Sequence, residues 1–244
     1  MKLWLSAFAM CQSMFCALPF PCRVWNEKAR DKMLLFLPLV GLEIGLIWWG
    51  AVSLCDYWRV PQAIRAIVTA AVPYLLTGFL HLDGFMDVTD AVRSYRDLER
   101  RREILKDSRV GSFAVIGVVL VLLAQFAAAV SLYSGMQVMV LIPVVSRCCS
   151  VLAVELLPPM STSQYASVEK KHVVLPLLML AGALIWGFSI RTRCGAMLLV
   201  GVVAYALALL RSYRSLKGMN GDIAGYCLTI SELASLTALA ILYQ

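Results

Sequence analysis

Apolar residues run along this chain in long, almost unbroken stretches rather than in a strand-like alternation or a one-sided helical stripe. Seven stretches reach or approach the about 20 residues a helix needs to cross hydrocarbon, at about 1.5 Å per residue through about 30 Å. They run roughly from Met33 to Leu54, Gln62 to Leu80, Ser112 to Tyr133, Met136 to Leu157, Val173 to Ile190, Cys194 to Leu210 and Gly225 to Tyr243. The pattern predicts an all-α, polytopic integral membrane bundle of about seven transmembrane helices, one membrane domain over 1–244. Short loops separate the last four stretches, so their ends are soft and two of them are candidates for broken or tilted spans.

The start of the chain reads differently. Lys2 and the apolar run after it resemble a signal peptide or an eighth span. Gln12 and Ser13 interrupt that run, Pro19 and Pro21 end it without a small-residue cleavage site, and a basic segment follows as far as Lys32. An interfacial or re-entrant helix fits these features best, making 1–32 an N-terminal interfacial segment.

Lys and Arg between the runs fall unevenly. Residues 22–32, 81–111, 158–172 and 211–224 hold 16 of them, while the alternate loops hold three, Arg59, Arg191 and Arg193. Cytoplasmic loops collect positive charge, so the imbalance supports seven crossings and a cytoplasmic start. Composition agrees: 61% hydrophobic residues and a mean hydropathy of +0.78 exceed what a soluble domain of 244 residues can bury. The net charge of +7 therefore reports topology and a lipid bilayer partner, with no nucleic acid expected. Eight cysteines show no CxxC pair and no histidines at metal spacing, so neither zinc nor disulfides are indicated.

The one long polar block begins Leu80-His81-Leu82-Asp83-Gly84-Phe85-Met86-Asp87-Val88-Thr89-Asp90 and runs to Lys106-Asp107-Ser108-Arg109-Val110-Gly111. Asp83, Asp87 and Asp90 stand at i, i+4 and i+7, one stripe of a helix expected to continue out of the second span. Stacked like charges repel, and no basic residue precedes Arg93, so a divalent cation is the economical partner. Hard oxygen ligands in small number suit Mg²⁺, which shares its coordination with substrate phosphate. Arg93, Arg96, Arg100, Arg101, Arg102, Lys106 and Arg109 would then hold phosphate oxygens, although Arg100 to Glu103 reads as an ordinary mixed-charge exposed helix. His81 is either a base or ligand, or a structural histidine at a helix end.

A second polar loop, 211–224, ends in Lys217-Gly218-Met219-Asn220-Gly221-Asp222. Its glycines permit backbone close to a ligand, and Asp222 suits a second metal or a ribose hydroxyl; Asn-Gly-Asp is equally a turn and helix cap. Inside the spans, Glu43, Arg147 and Glu232 are costly groups, whereas Arg65 and Glu155 lie near ends and are placed to snorkel. Arg147 either faces a substrate cavity or pairs with Glu43 or Glu232. Gly41-x-x-x-Gly45 reads as a close helix contact.

Taken in order, Phe36-Leu37-Pro38-Leu39-Val40-Gly41, Gly78-Phe79-Leu80-His81-Leu82-Asp83-Gly84 with Asp87 and Asp90, Lys106-Asp107-Ser108-Arg109, Ser146-Arg147, and Gly221-Asp222 with Gly225 and Glu232 resemble the cobalamin synthase family across most of the chain. Ala91 replaces the glycine usual after the third aspartate, Thr229 stands where an acidic residue is expected, and Glu43 where the family is apolar. The resemblance implies a late step of vitamin B12 assembly, in which α-ribazole or its 5′-phosphate joins adenosylcobinamide-GDP and GMP leaves. It implies catalytic roles for His81, Asp83, Asp107 and Arg109, substrate binding by Arg147, Asn220 and Asp222, and Mg²⁺ on Asp83, Asp87 and Asp90. It also implies a bacterial inner membrane with the site facing the cytoplasm, and a second copy or other cobalamin-pathway enzymes as candidate partners. Two rival readings are a Mg²⁺-dependent transferase of prenyl diphosphates or CDP-alcohols, whose aspartate spacings do not match, and a transporter, for which no internal repeat is found.

Overall fold

In a computed structural model the chain is a helical bundle, with residues 2–21, 25–132, 136–160 and 172–243 described. Arg23, Tyr133, Lys170 and Lys171, used above for span ends and charge, lie outside the described residues. The α-helices are α1 (Lys2–Phe15), α2 (Arg30–Met33), α3 (Leu37–Tyr57), α4 (Gln62–Leu76), α5 (Leu80–Arg93), α6 (Leu98–Ile104), α7 (Ser112–Val130), α8 (Leu141–Leu156), α9 (Val174–Ile190), α10 (Thr192–Leu216) and α11 (Gly221–Leu242). No strand occurs among the described residues.

Each apolar stretch corresponds to a helix, and the protein is multi-pass. Five helical stretches are long and apolar enough to cross on their own: Glu27–Tyr57, Ser112–Val130, Gln137–Leu156, Thr192–Leu216 and Gly221–Leu242. α4 and α5 pass the same test only as a pair, which is bent by 88° at its break. α9, with 17 residues, extends about 26 Å, a little short of the hydrocarbon thickness. α8 forms the centre, 83% buried, while α7 is only 28% buried and turns Leu120 and Leu123 outward as lipid-facing surface.

Small residues set the close helix contacts. A Cβ on Gly45 would sit 2.3 Å from the Val140 carbonyl oxygen, and one on Gly41 2.6 Å from that of Pro143, so α3 lies backbone to backbone against α8 and the Gly-x-x-x-Gly expectation holds. Buried charge is paired at this depth. Arg147 forms an ion pair with Glu232, which also accepts from the Ser146 hydroxyl at 2.8 Å, while Glu43 accepts from Gln12 at 2.7 Å. Arg65 does not snorkel: it is buried and bound to Asp56 and the Leu132 carbonyl. Glu155 does not either; it is 5% exposed, with Oε2 unpartnered.

α1 starts beside Lys32 and Phe36 at the head of α3, where the Lys32 ammonium lies 5.9 Å from the Trp4 ring. It ends against His81, and the Ala17 amide donates to the Leu76 carbonyl at 2.7 Å. Asn26 then lies back beside Met10. With 14 residues α1 spans about 21 Å, shorter than the hydrocarbon thickness.

The acidic stripe does not sit on a continuation of the second span, which is a correction to the sequence reading. Pro73 removes a donor from the last turn of α4, and Gly78 and Phe79 take left-handed backbone, φ 57° and 62°. The chain turns there and restarts as α5. The carboxylates of α5 come after that turn, against the first turns of α7 and α11.

Candidate active site

α5 carries Asp83, Asp87 and Asp90, and two glycines bring α11 to it. A Cβ on Gly84 would meet the Asp222 Cα and carbonyl oxygen at 2.9 Å, and one on Gly225 would meet the His81 backbone at 3.1 Å. No side chain larger than hydrogen fits at that crossing, so the acidic helix and the Asn220-Gly221-Asp222 turn become one site. Thr229, in the place of an expected acid, donates to the His81 carbonyl at 3.2 Å and closes the same contact.

Asn220 caps α11 by accepting from the Ile223 amide at 3.0 Å, and its side-chain amide donates to Asp222 at 2.6 Å, fixing that carboxylate. Asp222 is thus both helix turn and site residue. Asp87, outside the spanning segments, is pushed up to about 6, first by its partial burial and then by the negative charges of Asp83, Asp222 and Asp90. The negative charges of these four carboxylates reinforce one another there.

Asp90 has a partner the sequence did not suggest. Its two oxygens accept from the Gly111 and Ala114 amides at 2.6 and 2.8 Å, capping α7. Among the described residues, no three carboxylates, imidazoles or thiols stand close enough to hold a metal unaided. Asp83 and Asp87, with Asp222 opposite, offer hard oxygens whose complement would come from water and substrate, the donor set that suits Mg²⁺. The charge crowding around Asp87 is what a cation held there would relieve.

The basic residues divide. Arg102 donates to the Leu216 and Lys217 carbonyls at 3.0 and 2.8 Å, and Arg101 to that of Ser215, so α6 is pinned to the C-terminal end of α10. Arg100 pairs with Glu103 at 2.6 Å, as expected of an exposed helix. Asp107 and Arg109 pair with each other at 2.8 Å on the surface, where the hydrogen bonds from Arg109 hold Asp107 down to about 2. Arg147 lies deeper, in its pair with Glu232, with Nε and Nη2 unpartnered. Lys106, singled out above only as one of a basic run, lines the same open cleft as Asn220 and Asp222.

That cleft, of about 830 Å³, is walled by Glu99, Arg102, Lys106, Asn220 and Asp222. On the other side of Asp222 lies a smaller cavity of about 110 Å³ between α1, α3, α5, α8 and α11, lined by Phe15, Leu37, His81, Ser150, Val154 and Asp222 among others. His81 is 7% exposed and its Nε2 has no hydrogen-bond partner. Ser150 was not a sequence candidate: a serine in an apolar run carries no signal until a cavity opens beside it. Asp222 therefore stands between a wide polar cleft and an enclosed, mostly apolar one.

Comparison with known proteins gives this arrangement a context. A family model described as cobalamin-5-phosphate synthase matches residues 7–240. The adenosylcobinamide-GDP ribazoletransferase of Clostridium perfringens strain SM101 is 36% identical, over 99% of this chain and 100% of that protein. Those of Clostridium botulinum strain Alaska E43 and Brevibacillus brevis strain 47 are 31% and 32% identical, covering 97% and 96% of this chain and 97% and 98% of their own. No solved structure matches the chain.

Proposed function

The chain belongs to the cobalamin-5-phosphate synthase family, and from that premise we propose that it joins α-ribazole, or its 5′-phosphate, to adenosylcobinamide-GDP with release of GMP. It is a membrane transferase of cobalamin biosynthesis. The observation that carries the mechanism is that Asp83 and Asp87 lie within reach of the charge of Asp222, which itself lines both an open polar cleft and a mostly apolar cavity.

A ribose hydroxyl attacks the phosphorus that carries the cobinamide ester. One P–O bond forms, the bridging P–O bond breaks, and its electron pair leaves on GMP. Asp222, oriented by Asn220, binds the hydroxyl and takes its proton. Mg²⁺, when bound through Asp83 and Asp87, supplies positive charge for the diphosphate. Lys106 and Arg109 offer further positive charge from the loop after α6, with Asp107 holding Arg109 in place until phosphate competes for it. Asp90 anchors the first turn of α7 beside the stripe. Arg147 supports α8 and α11 through Glu232, beneath the site.

The site faces the cytoplasm of a bacterial inner membrane in this reading, which the 16-to-three division of basic residues supports. Rival readings as a prenyl-diphosphate or CDP-alcohol transferase, or as a transporter, find no support in the family match. The test is direct: purified protein with adenosylcobinamide-GDP, α-ribazole 5′-phosphate and Mg²⁺ releases GMP, EDTA stops it, and Asp83→Asn abolishes it with protein yield unchanged. No GMP from the intact protein would overturn the proposal.

A further inference from the structure

The cavity on the inner side of Asp222 has no role in the reaction as derived so far. Its walls are apolar side chains from five helices, including Met14 and Phe15 at the end of α1, Leu37 at the start of α3 with Leu34 just before it, and Val151 and Val154 of α8. Two polar side chains interrupt them, His81 and Ser150. His81 is buried and its Nε2 has no hydrogen-bond partner, while Ser150 lies beside the Tyr205 hydroxyl. A buried polar atom left unpaired is costly, so a cavity that keeps one is built for something that pairs with it. The Phe15 and His81 rings lie nearly parallel, 13° apart with centroids 6.4 Å from each other, and present flat faces.

We propose that this cavity seats the base of ribazole: the flat benzimidazole ring enters between α1 and α8, its one free nitrogen accepts a hydrogen bond from His81 Nε2, and its ribose emerges at Asp222. The proposal rests on the transferase reading given above and adds where one of its two substrates binds. Size agrees, since about 110 Å³ admits roughly seven to eleven atom-sized spheres at about 10–15 Å³ each, the scale of a bicyclic ring. Chemistry separates this base from guanine, the other ring system in the reaction. Guanine carries donors and acceptors around most of its edge and would leave several of them unpaired against Leu34, Leu37 and Val151, whereas benzimidazole has one polar atom free. The open cleft, with Lys106 and Arg102 on its walls, suits the charged nucleotide and its large corrinoid. Asp222 touches both spaces, which is where the attacking hydroxyl has to be.

Val154 lines the cavity and is only partly buried, so Val154→Phe fills the space from a tolerant position. Steady-state kinetics should show KM for α-ribazole 5′-phosphate rising on the order of tenfold, with kcat and KM for adenosylcobinamide-GDP within about twofold of wild type. A riboside phosphate with imidazole in place of the bicyclic base should escape most of that increase. An unchanged KM for ribazole in the variant, an equal loss with both bases, or a rise confined to adenosylcobinamide-GDP would overturn the assignment. Should Val154→Phe fail to fold, calorimetry on the wild-type protein decides: free dimethylbenzimidazole should bind, compete with α-ribazole and be indifferent to GMP, and no binding or competition with GMP refutes the proposal. Binding is read without turnover, so a protein that takes the base but releases no GMP would sink the transferase reading and leave the cavity assignment standing.

Discussion

Asp87→Asn should make the metal-free protein more stable while destroying its activity. In the folded state Asp87 is raised from 3.8 to about 6 by partial burial and by Asp83, Asp222 and Asp90. A raised carboxylate favours its protonated form on folding, so the penalty is absent below pH 3.8, grows as pH rises and is complete above about 6. A shift of about two units corresponds to about 3 kcal/mol, and solvent screening of a partly exposed group reduces this to about 1–2 kcal/mol. Asparagine keeps the shape and removes the charge. Thermal unfolding in detergent with EDTA at pH 7.5 should therefore show the variant melting roughly 2–8 °C above wild type, with the gap closing towards pH 4. Adding Mg²⁺ should raise wild type and leave the variant nearly unmoved, since an ion that binds the folded state stabilises it by mass action. A variant less stable than wild type in EDTA, or Mg²⁺ stabilising both equally, would refute the reasoning.

Three further outcomes follow from the same contacts. Glu232→Gln leaves Arg147 charged and buried without its counter-ion and should cost about 3–5 kcal/mol, seen as loss of folded protein in detergent; Arg147→Met combined with Glu232→Leu should recover most of it. Asp90→Ala removes the acceptor of two α7 amides and should lower unfolding stability by about 1–2 kcal/mol, with Asp90→Asn losing less because one oxygen remains to accept. Gly84→Ala puts a methyl 2.9 Å from the Asp222 backbone, so α5 and α11 must separate: GMP release should fall on the order of tenfold, and unfolding stability should drop by about 1–3 kcal/mol.

The bundle was legible because lipid demands long apolar runs, and every run became a helix. What the runs could not reveal was the break at Gly78-Phe79: Pro73 and Gly78 mark it in the sequence, but hydropathy carries straight through. The acidic residues were legible as a site because nothing basic stands near them in the chain. Which carboxylate does what was not, since the partner of Asp90 is a helix end 21 residues away, brought in by packing. Arg147 shows the same limit: its chemistry left a substrate cavity, Glu43 and Glu232 all open as its surroundings, and only the α8 to α11 contact brings it to Glu232. Ser150 had no signal at all, because its cavity is a property of five helices together.

The proposed ion site is tested most directly by following the ³¹P signals of adenosylcobinamide-GDP bound to the purified protein as Mn²⁺ replaces Mg²⁺. Paramagnetic broadening of both phosphorus signals at one Mn²⁺ per chain, abolished in Asp83→Asn with Asp87→Asn, is the predicted result. Broadening that persists in that double variant, or none in the intact protein, would contradict a metal held between these aspartates and the diphosphate.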